Sequence, residues 1–381
     1  MFRSAQSQHL FPSCVEIDLD ALSNNARCIK RLAGDEVAVM AVVKANAYGH
    51  GAPQVASAAL ENGADMLAVA NLAEATQLRE AGIHAPVLTL SLVPPEQINL
   101  ARELDLRVTV FDRDLAAQYL AALDDNQRKL RVHLKIDTGM HRLGLLPDEA
   151  VALARTLRAA PALQLEGVYT HFAAADEDAE YTAEQLAAFR GALDAMRADG
   201  CLPRFVHAAN SPALLDCHDS YFNLVRPGVL LYGLRPMRDA PNMAAFRPVM
   251  RWKTQVAQVK TLPPDSRVGY GHAYTTRREE TLAVLPVGYA DGLRRTPQTW
   301  RFVLLHGERA PLVGRVSMEK IIVGVSHIPG VQIGDEAVLL GSQGGQTISA
   351  DDIAVWLGSN NYEVVCTIAP RVPRTYLSIN R

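Results

Sequence analysis

A (β/α)8 barrel followed by a predominantly β domain is the fold class that this 381-residue sequence predicts. Three observations carry the prediction. Eight short strand-like runs alternate with mostly helical stretches between residues 37 and 233, as parallel strands buried on both faces require. No GxGxxG fingerprint stands near the start, which counts against a doubly wound open sheet. Beyond about residue 245 the alternation gives way to closely spaced strands and turns.

The eight runs are 37–44, 66–70, 86–90, 107–111, 131–137, 165–171, 205–209 and 224–231. Before the seventh, Thr182 and Gln185 stand at capping-box spacing, followed by Leu186, Phe189, Leu193 and Met196 on one helical face. The barrel is expected over 14–245, with a first strand near 14–18 available to pair with the second domain, 246–381. There the strand-like runs are 250–262, 268–275, 280–288, 300–305, 311–317, 320–326 and 336–341, with one helix near 349–357. Turns are expected at Pro263-Pro264, His306-Gly307, Pro329-Gly330 and Gly334-Asp335.

Composition excludes several classes. Hydrophobic residues at 49%, charged residues at 21% and a net charge of −3 are those of an ordinary globular chain. No basic stripe or polybasic patch offers itself to nucleic acid or membrane. The opening MFRSAQSQHLFPS lacks the apolar core of a signal peptide, and no apolar run approaches a membrane span. Five scattered cysteines without a CxxC pair read as reduced thiols in a cytoplasm, not as a disulfide framework or a metal site.

Chemistry is expected where polar residues end barrel strands, because that face carries the active site. Lys44 closes the first run on the face of Met40 and Val42, where partial desolvation makes its neutral amine accessible. A lysine that merely snorkels at a strand end is the plain alternative. Tyr48 and the Gly49-His50-Gly51 turn follow it, offering a hydroxyl and backbone amides to a phosphate-bearing group. Elsewhere HLKIDTGMHRLG aligns His133, Lys135 and Asp137 and places Arg142 in the next loop. GVYTHF ends on His171, HAANS on Asn210 and Ser211, and VRPGV carries Arg226 and Gly228. Ser211 is also a candidate helix cap. Each alone has a structural reading; together, around a lysine, they point to a binding site.

On AVVKANAYGHG, KIDTGMHRLG, YTHFAAADE, HAANS, GYADG and VGRVSM, in that order, the chain closely resembles the alanine racemase family over nearly its whole length. The resemblance implies pyridoxal 5'-phosphate held by Lys44 as a Schiff base. It implies a two-base exchange of the α-proton between Lys44 and Tyr270, in VGYGHAY. His171 would contact the tyrosine, and Arg226 would face the pyridine nitrogen and leave it largely unprotonated. Tyr48, Ser211, Gly228 and Val229 match phosphate-binding positions, and Asn210 lies beside them. Arg142 and the Met318 amide match the groups that hold the substrate carboxylate. Lys135, which matches a lysine carbamylated in many members, and Tyr289 are supporting residues. Because Tyr270 and Met318 reach a partner's barrel in the family, a head-to-tail homodimer with shared sites is implied.

Two places depart from the family pattern. Glu319-Lys320 follow Met318 where Asp-Gln is common, and Pro370 stands where many members carry a tyrosine that touches the phosphate. Proline offers neither hydroxyl nor amide proton, so some turnover of L-serine beside L-alanine is expected. The competing readings are a serine or broad-spectrum racemase, a decarboxylase of similar fold, and a non-catalytic cofactor-binding barrel.

Overall fold

The computed structural model describes residues 12–124, 128–297 and 299–378. These divide into two compact units. One comprises Ala21–Ala47 and Gly51–Arg247; the other comprises Tyr48–His50 and Pro248–Arg381 with the stretch up to Asp20.

The first unit is the eight-stranded parallel barrel that the sequence predicts. In chain order its strands are Ala38–Val42, Met66–Val69, Val87–Thr89, Leu106–Val110, Leu130–Lys135, Leu163–Tyr169, Phe205–His207 and Leu224–Val225. The last pairs in parallel with the first, through Ala38↔Leu224 and Val39↔Val225. Between the seventh and eighth the wall is bridged by Arg226 N to Ala209 O at 2.9 Å and by Val206 N to the Asn223 side chain at 2.8 Å. The apolar strand residues are almost all buried, as both-face covering demands.

Caps start several of the surrounding helices. Asn71, Asp112, Asp178 and Asn210 each accept the backbone N–H three residues on. The helix Ala179–Ala198 buries Leu186, Phe189, Leu193 and Met196 as its spacing predicts, each contributing about 1.5–3 kcal/mol of apolar burial. Its start differs from expectation. Asp178 is the cap; Thr182 lies a turn inside and donates back to the Asp178 carbonyl. Gln185 instead accepts from Ala173 N and donates toward Thr138 and the His171 carbonyl. A sequence shows the capping spacing but not the competing acceptors that a neighbouring loop supplies.

In the second unit, Ser13–Asp18 runs antiparallel to Met250–Gln255 and parallel to Arg374–Leu377, inside a seven-stranded sheet. Trp252 and Trp300 meet edge-to-face beneath it at 5.9 Å, and each indole N–H is satisfied, by Ser13 Oγ and by the Leu339 carbonyl. A three-stranded sheet of Gln258–Leu262, Glu280–Leu285 and Ile321–Gly324 accompanies it. The predicted run 250–262 is therefore two strands in different sheets, broken after Gln255. The predicted strand 311–317 lies instead at Glu308–Pro311, a hairpin with Phe302–Leu305 across His306-Gly307. The helix expected near 349–357 is Ala350–Leu357, and a second helix, Asn361–Cys366, follows it. Among the described residues no helix is long and apolar enough to cross a membrane.

Candidate active site

Lys44 lies two residues beyond the first barrel strand rather than on it, and opens a left-handed turn. Ala45, Asn46, Ala47 and Tyr48 have φ values of 53°, 53°, 54° and 51°. Each L-residue in that region costs about 1–2 kcal/mol, and four in succession persist only where neighbours over-determine them. Several hydrogen bonds do so. Glu74 Oε1 accepts from Ala45 N at 2.6 Å, and the Asn46 side chain accepts from Ala52 N at 2.9 Å. Ala47 N donates to the Val43 carbonyl and Gly51 N to the Asn46 carbonyl, both at 2.9 Å. Such stored strain is a mark of functional backbone. In the second unit, Gly49 (φ 80°) has no room for a methyl group, which would lie 2.5 Å from the Val365 carbonyl oxygen. There too, burial pushes the Tyr48 hydroxyl well above the ordinary phenol range.

The other strand-end residues predicted from sequence sit past their strands as well. His171 lies two residues beyond Tyr169, and Asn210 and Ser211 follow His207 by three and four. Asn210, not Ser211, caps the helix Ser211–Asp216. That frees the Ser211 hydroxyl to accept from Gly228 N at 2.9 Å and Leu230 N at 3.4 Å, where Val229 begins a short 3-10 turn. Asp137 accepts from Gly139 N and His141 N, both at 3.0 Å, and so shapes the loop that carries Arg142. Burial alone would raise the Asp137 pKa, but these amides outweigh it and hold the carboxyl below its usual range.

Cations outnumber the Asp137 carboxylate at this end of the barrel. Burial first, then Arg226, Lys135, Arg142 and Lys44 in turn, push the His171 imidazole well below its ordinary pKa. Arg226 is buried, and its guanidinium donates to the Thr170 and Ala208 carbonyls at 2.7 and 3.0 Å and approaches His171 Nδ1 at 3.4 Å. Burial lowers the Arg226 pKa to about 10. Lys135 is buried beside the same groups; burial, Arg226 and Arg142 bring its ammonium down to about 8. His133, predicted to share a face with Lys135, lies deeper and meets His207.

The second unit presents Tyr270 on a tight turn, 65% exposed, with the Arg295 guanidinium 5.8 Å from its ring centre. Tyr289 and Met318 are 41% and 57% exposed. Tyr289 N donates to the Ser317 carbonyl and Ala290 N to the Met318 carbonyl, at 3.0 and 2.9 Å. Gly288 permits that approach, since a methyl group there would lie 2.3 Å from the Ser317 oxygen. Glu319, one of the departures, pairs with Arg371 at 3.1 Å, next to the exposed Pro370.

Glu74, Glu166, Tyr169, His207, Asp291 and Arg371 were not singled out in the sequence, and Gln185 was read there only as part of a helix cap. Tyr169 and His207 carried a signal, being polar residues in phase inside apolar barrel runs.

A parallel barrel with a strained lysine turn and a cationic mouth, and a β unit that displays a tyrosine, are the parts of an amino-acid racemase of the barrel class. Family models agree. Residues 17–236 match the alanine racemase N-terminal domain, and residues 249–376 the alanine racemase C-terminal domain. The chain is 42% identical to alanine racemase 2 of Caldanaerobacter subterraneus subsp. tengcongensis, covering 96% of this chain and 95% of that one. It is 43% identical to alanine racemase of Halothermothrix orenii over 96% of this chain and 97% of that one. Among solved structures, alanine racemase from Bacillus anthracis with bound L-Ala-P superposes with a TM-score of 0.91 at 40% identity, covering 97% and 96% of the two chains. The chain belongs to the alanine racemase family. It is an isomerase that interconverts the enantiomers of alanine, and these relatives give the serine, broad-spectrum and decarboxylase alternatives no support.

Proposed function

We propose that the chain racemises alanine with pyridoxal 5'-phosphate held on Lys44, and that Lys44 and Tyr270 exchange the α-proton on opposite faces of the substrate. The convergence of Lys44, Lys135, Arg142 and Arg226 on one neutral histidine carries the reading. A phosphorylated cofactor and a substrate carboxylate bring the negative charge that such a mouth favours. The donor set fits them. The Tyr48 and Ser211 hydroxyls and the amides of Gly228 and Val229 would hold the phosphate, with Asn210 fixing the Ser211 turn. Arg142 and the Met318 amide would hold the carboxylate, and Tyr289 braces the Met318 segment.

When bound, the cofactor supplies the electron sink that makes the α-proton removable. Arg226 would face its pyridine nitrogen and, having donors but no acceptor, would leave that nitrogen without a proton. The same guanidinium lies against His171 Nδ1, an arrangement that favours the His171 proton on Nε2. That N–H is a donor for the phenolate of a tyrosine acting as base, which tyrosine needs at neutral pH. Lys135, with a pKa of about 8, keeps a neutral fraction at pH 7. Its amine can add carbon dioxide, lose a proton and accept from Arg142 as a carbamate. Labelling with 13C-bicarbonate should then give a carbamate signal that Lys135→Met lacks; identical spectra would remove this role.

Tyr270, Tyr289 and Met318 expose large side chains on the second unit, a surface that a second copy would cover. We assign them to a head-to-tail homodimer in which Tyr270 and Met318 of one subunit complete the barrel site of its partner. Among the described residues the five cysteines form no disulfide, which supports residence in a reducing cytoplasm. The test is complementation. Lys44→Ala and Tyr270→Ala should each be inactive, and reannealed mixtures should regain roughly a quarter of wild-type activity under random reassortment into two-fold dimers. Solvent deuterium should enter Cα of both alanine enantiomers in the wild type. No recovery from verified heterodimers would reject the shared site.

A further inference from the structure

Barrel interiors are ordinarily filled by branched apolar side chains. This one carries a polar column. Arg226 Nη1 meets His207 Nδ1 at 2.9 Å, and His207 Nε2 meets His133 Nδ1 at 2.8 Å. His133 Nε2 lies 3.4 Å from Glu166 Oε2, and all four residues are buried.

The order of protons along the column follows from its ends. A guanidinium only donates, so His207 Nδ1 offers a lone pair and the ring's proton sits on Nε2. That proton faces His133 Nδ1, which leaves the His133 proton on Nε2, toward Glu166. From the other end a carboxylate only accepts, and it requires the same order. Burial first, and the neighbouring guanidinium groups after it, lower both imidazoles, so each ring carries a single proton.

Two backbone features place the column. Val132 pairs with Leu165 but His133 pairs with Gly167, so Glu166 is the extra residue of a β-bulge. Bulges re-aim side chains, and this one delivers the carboxylate to His133, Arg107 and Arg131. Gly167 makes the space, since a methyl group there would lie 2.4 Å from His133 Nδ1. Tyr169 stacks on His207 at 4.8 Å and is itself held by Thr109 Oγ1 at 3.0 Å.

We propose that Glu166 is a positioning residue for the racemase site. Through His133 and His207 it fixes the proton order that presents a lone pair to Arg226, and so holds the guanidinium toward the pyridine nitrogen. The inference rests on the reading of Arg226 given above, but the proton order belongs to the barrel alone and is read without cofactor.

Neutron diffraction from deuterium-exchanged apo and holo protein decides it. Deuterons are expected on Nε2 of both His133 and His207 and on neither Nδ1; a deuteron on either Nδ1 overturns the proposal, whatever Arg226 faces. The variant Glu166→Gln replaces an acceptor-only carboxylate by an amide that can also donate, so the column should lose its single order and the His133 deuteron should be split between Nε2 and Nδ1. It should lower kcat about tenfold with KM near its wild-type value, as loss of an outer partner of an orienting histidine does. A Glu166→Gln enzyme with both deuterons in place and wild-type kcat also overturns it. Should that variant fail to fold, the wild-type deuteron positions settle the question.

Discussion

Arg371 Nε donates to Asp291 Oδ1 at 2.8 Å, while the other oxygen of that carboxylate accepts from the Gly288 amide at 2.8 Å. Arg371 also reaches Glu319, and Ala369 N donates to the Asp291 carbonyl. Asp291 thus ties the GYADG turn to the segment around Pro370 and, through Arg371, to the residue after Met318. The Glu319 carboxylate therefore shares the Arg371 guanidinium with Asp291.

Removing the centre of that clamp should loosen carboxylate recognition. Asp291→Ala is expected to cost about 1–3 kcal/mol in urea unfolding, because the buried Gly288 amide loses its acceptor. The KM for alanine should rise more than kcat falls. A variant with wild-type stability and KM would show that the clamp does not position Met318.

Glu166 links the column to acid stability. Burial would raise its pKa, but the His133 N–H and the Arg107 charge outweigh it and hold the carboxyl at about 2, below the usual 4.5. A carboxyl depressed on folding stabilises above pH 4.5, and that contribution is lost as pH falls toward 2. Urea unfolding at stepped pH should show wild type losing stability more steeply than Glu166→Gln across this window. Parallel curves would mean that the native and unfolded carboxyls titrate alike.

Much of this architecture was legible in the sequence. The eight barrel strands stood out because parallel strands buried on both faces are continuous apolar runs, and Lys44 stood out because it closes one of them. The exact seat of Lys44 did not, since a left-handed turn of Ala45, Asn46, Ala47 and Tyr48 has no propensity signal and is set by partners such as Glu74. Glu166 was hidden for a related reason. Its bulge breaks the period of two, so simple alternation places it on the wrong face. In the β unit, the break after Gln255 was lost because Met250–Gln255 and Gln258–Leu262 read as one strand.

The assignment of the cofactor to Lys44 is tested most directly by borohydride reduction of the holoenzyme, which fixes the cofactor to the lysine that holds it, followed by peptide mass mapping. The pyridoxyl group should appear on Lys44, within residues 41–51, and racemase activity should vanish in step with its incorporation. Label on Lys135 or any other lysine, or full loss of activity with Lys44 unmodified, would contradict the account.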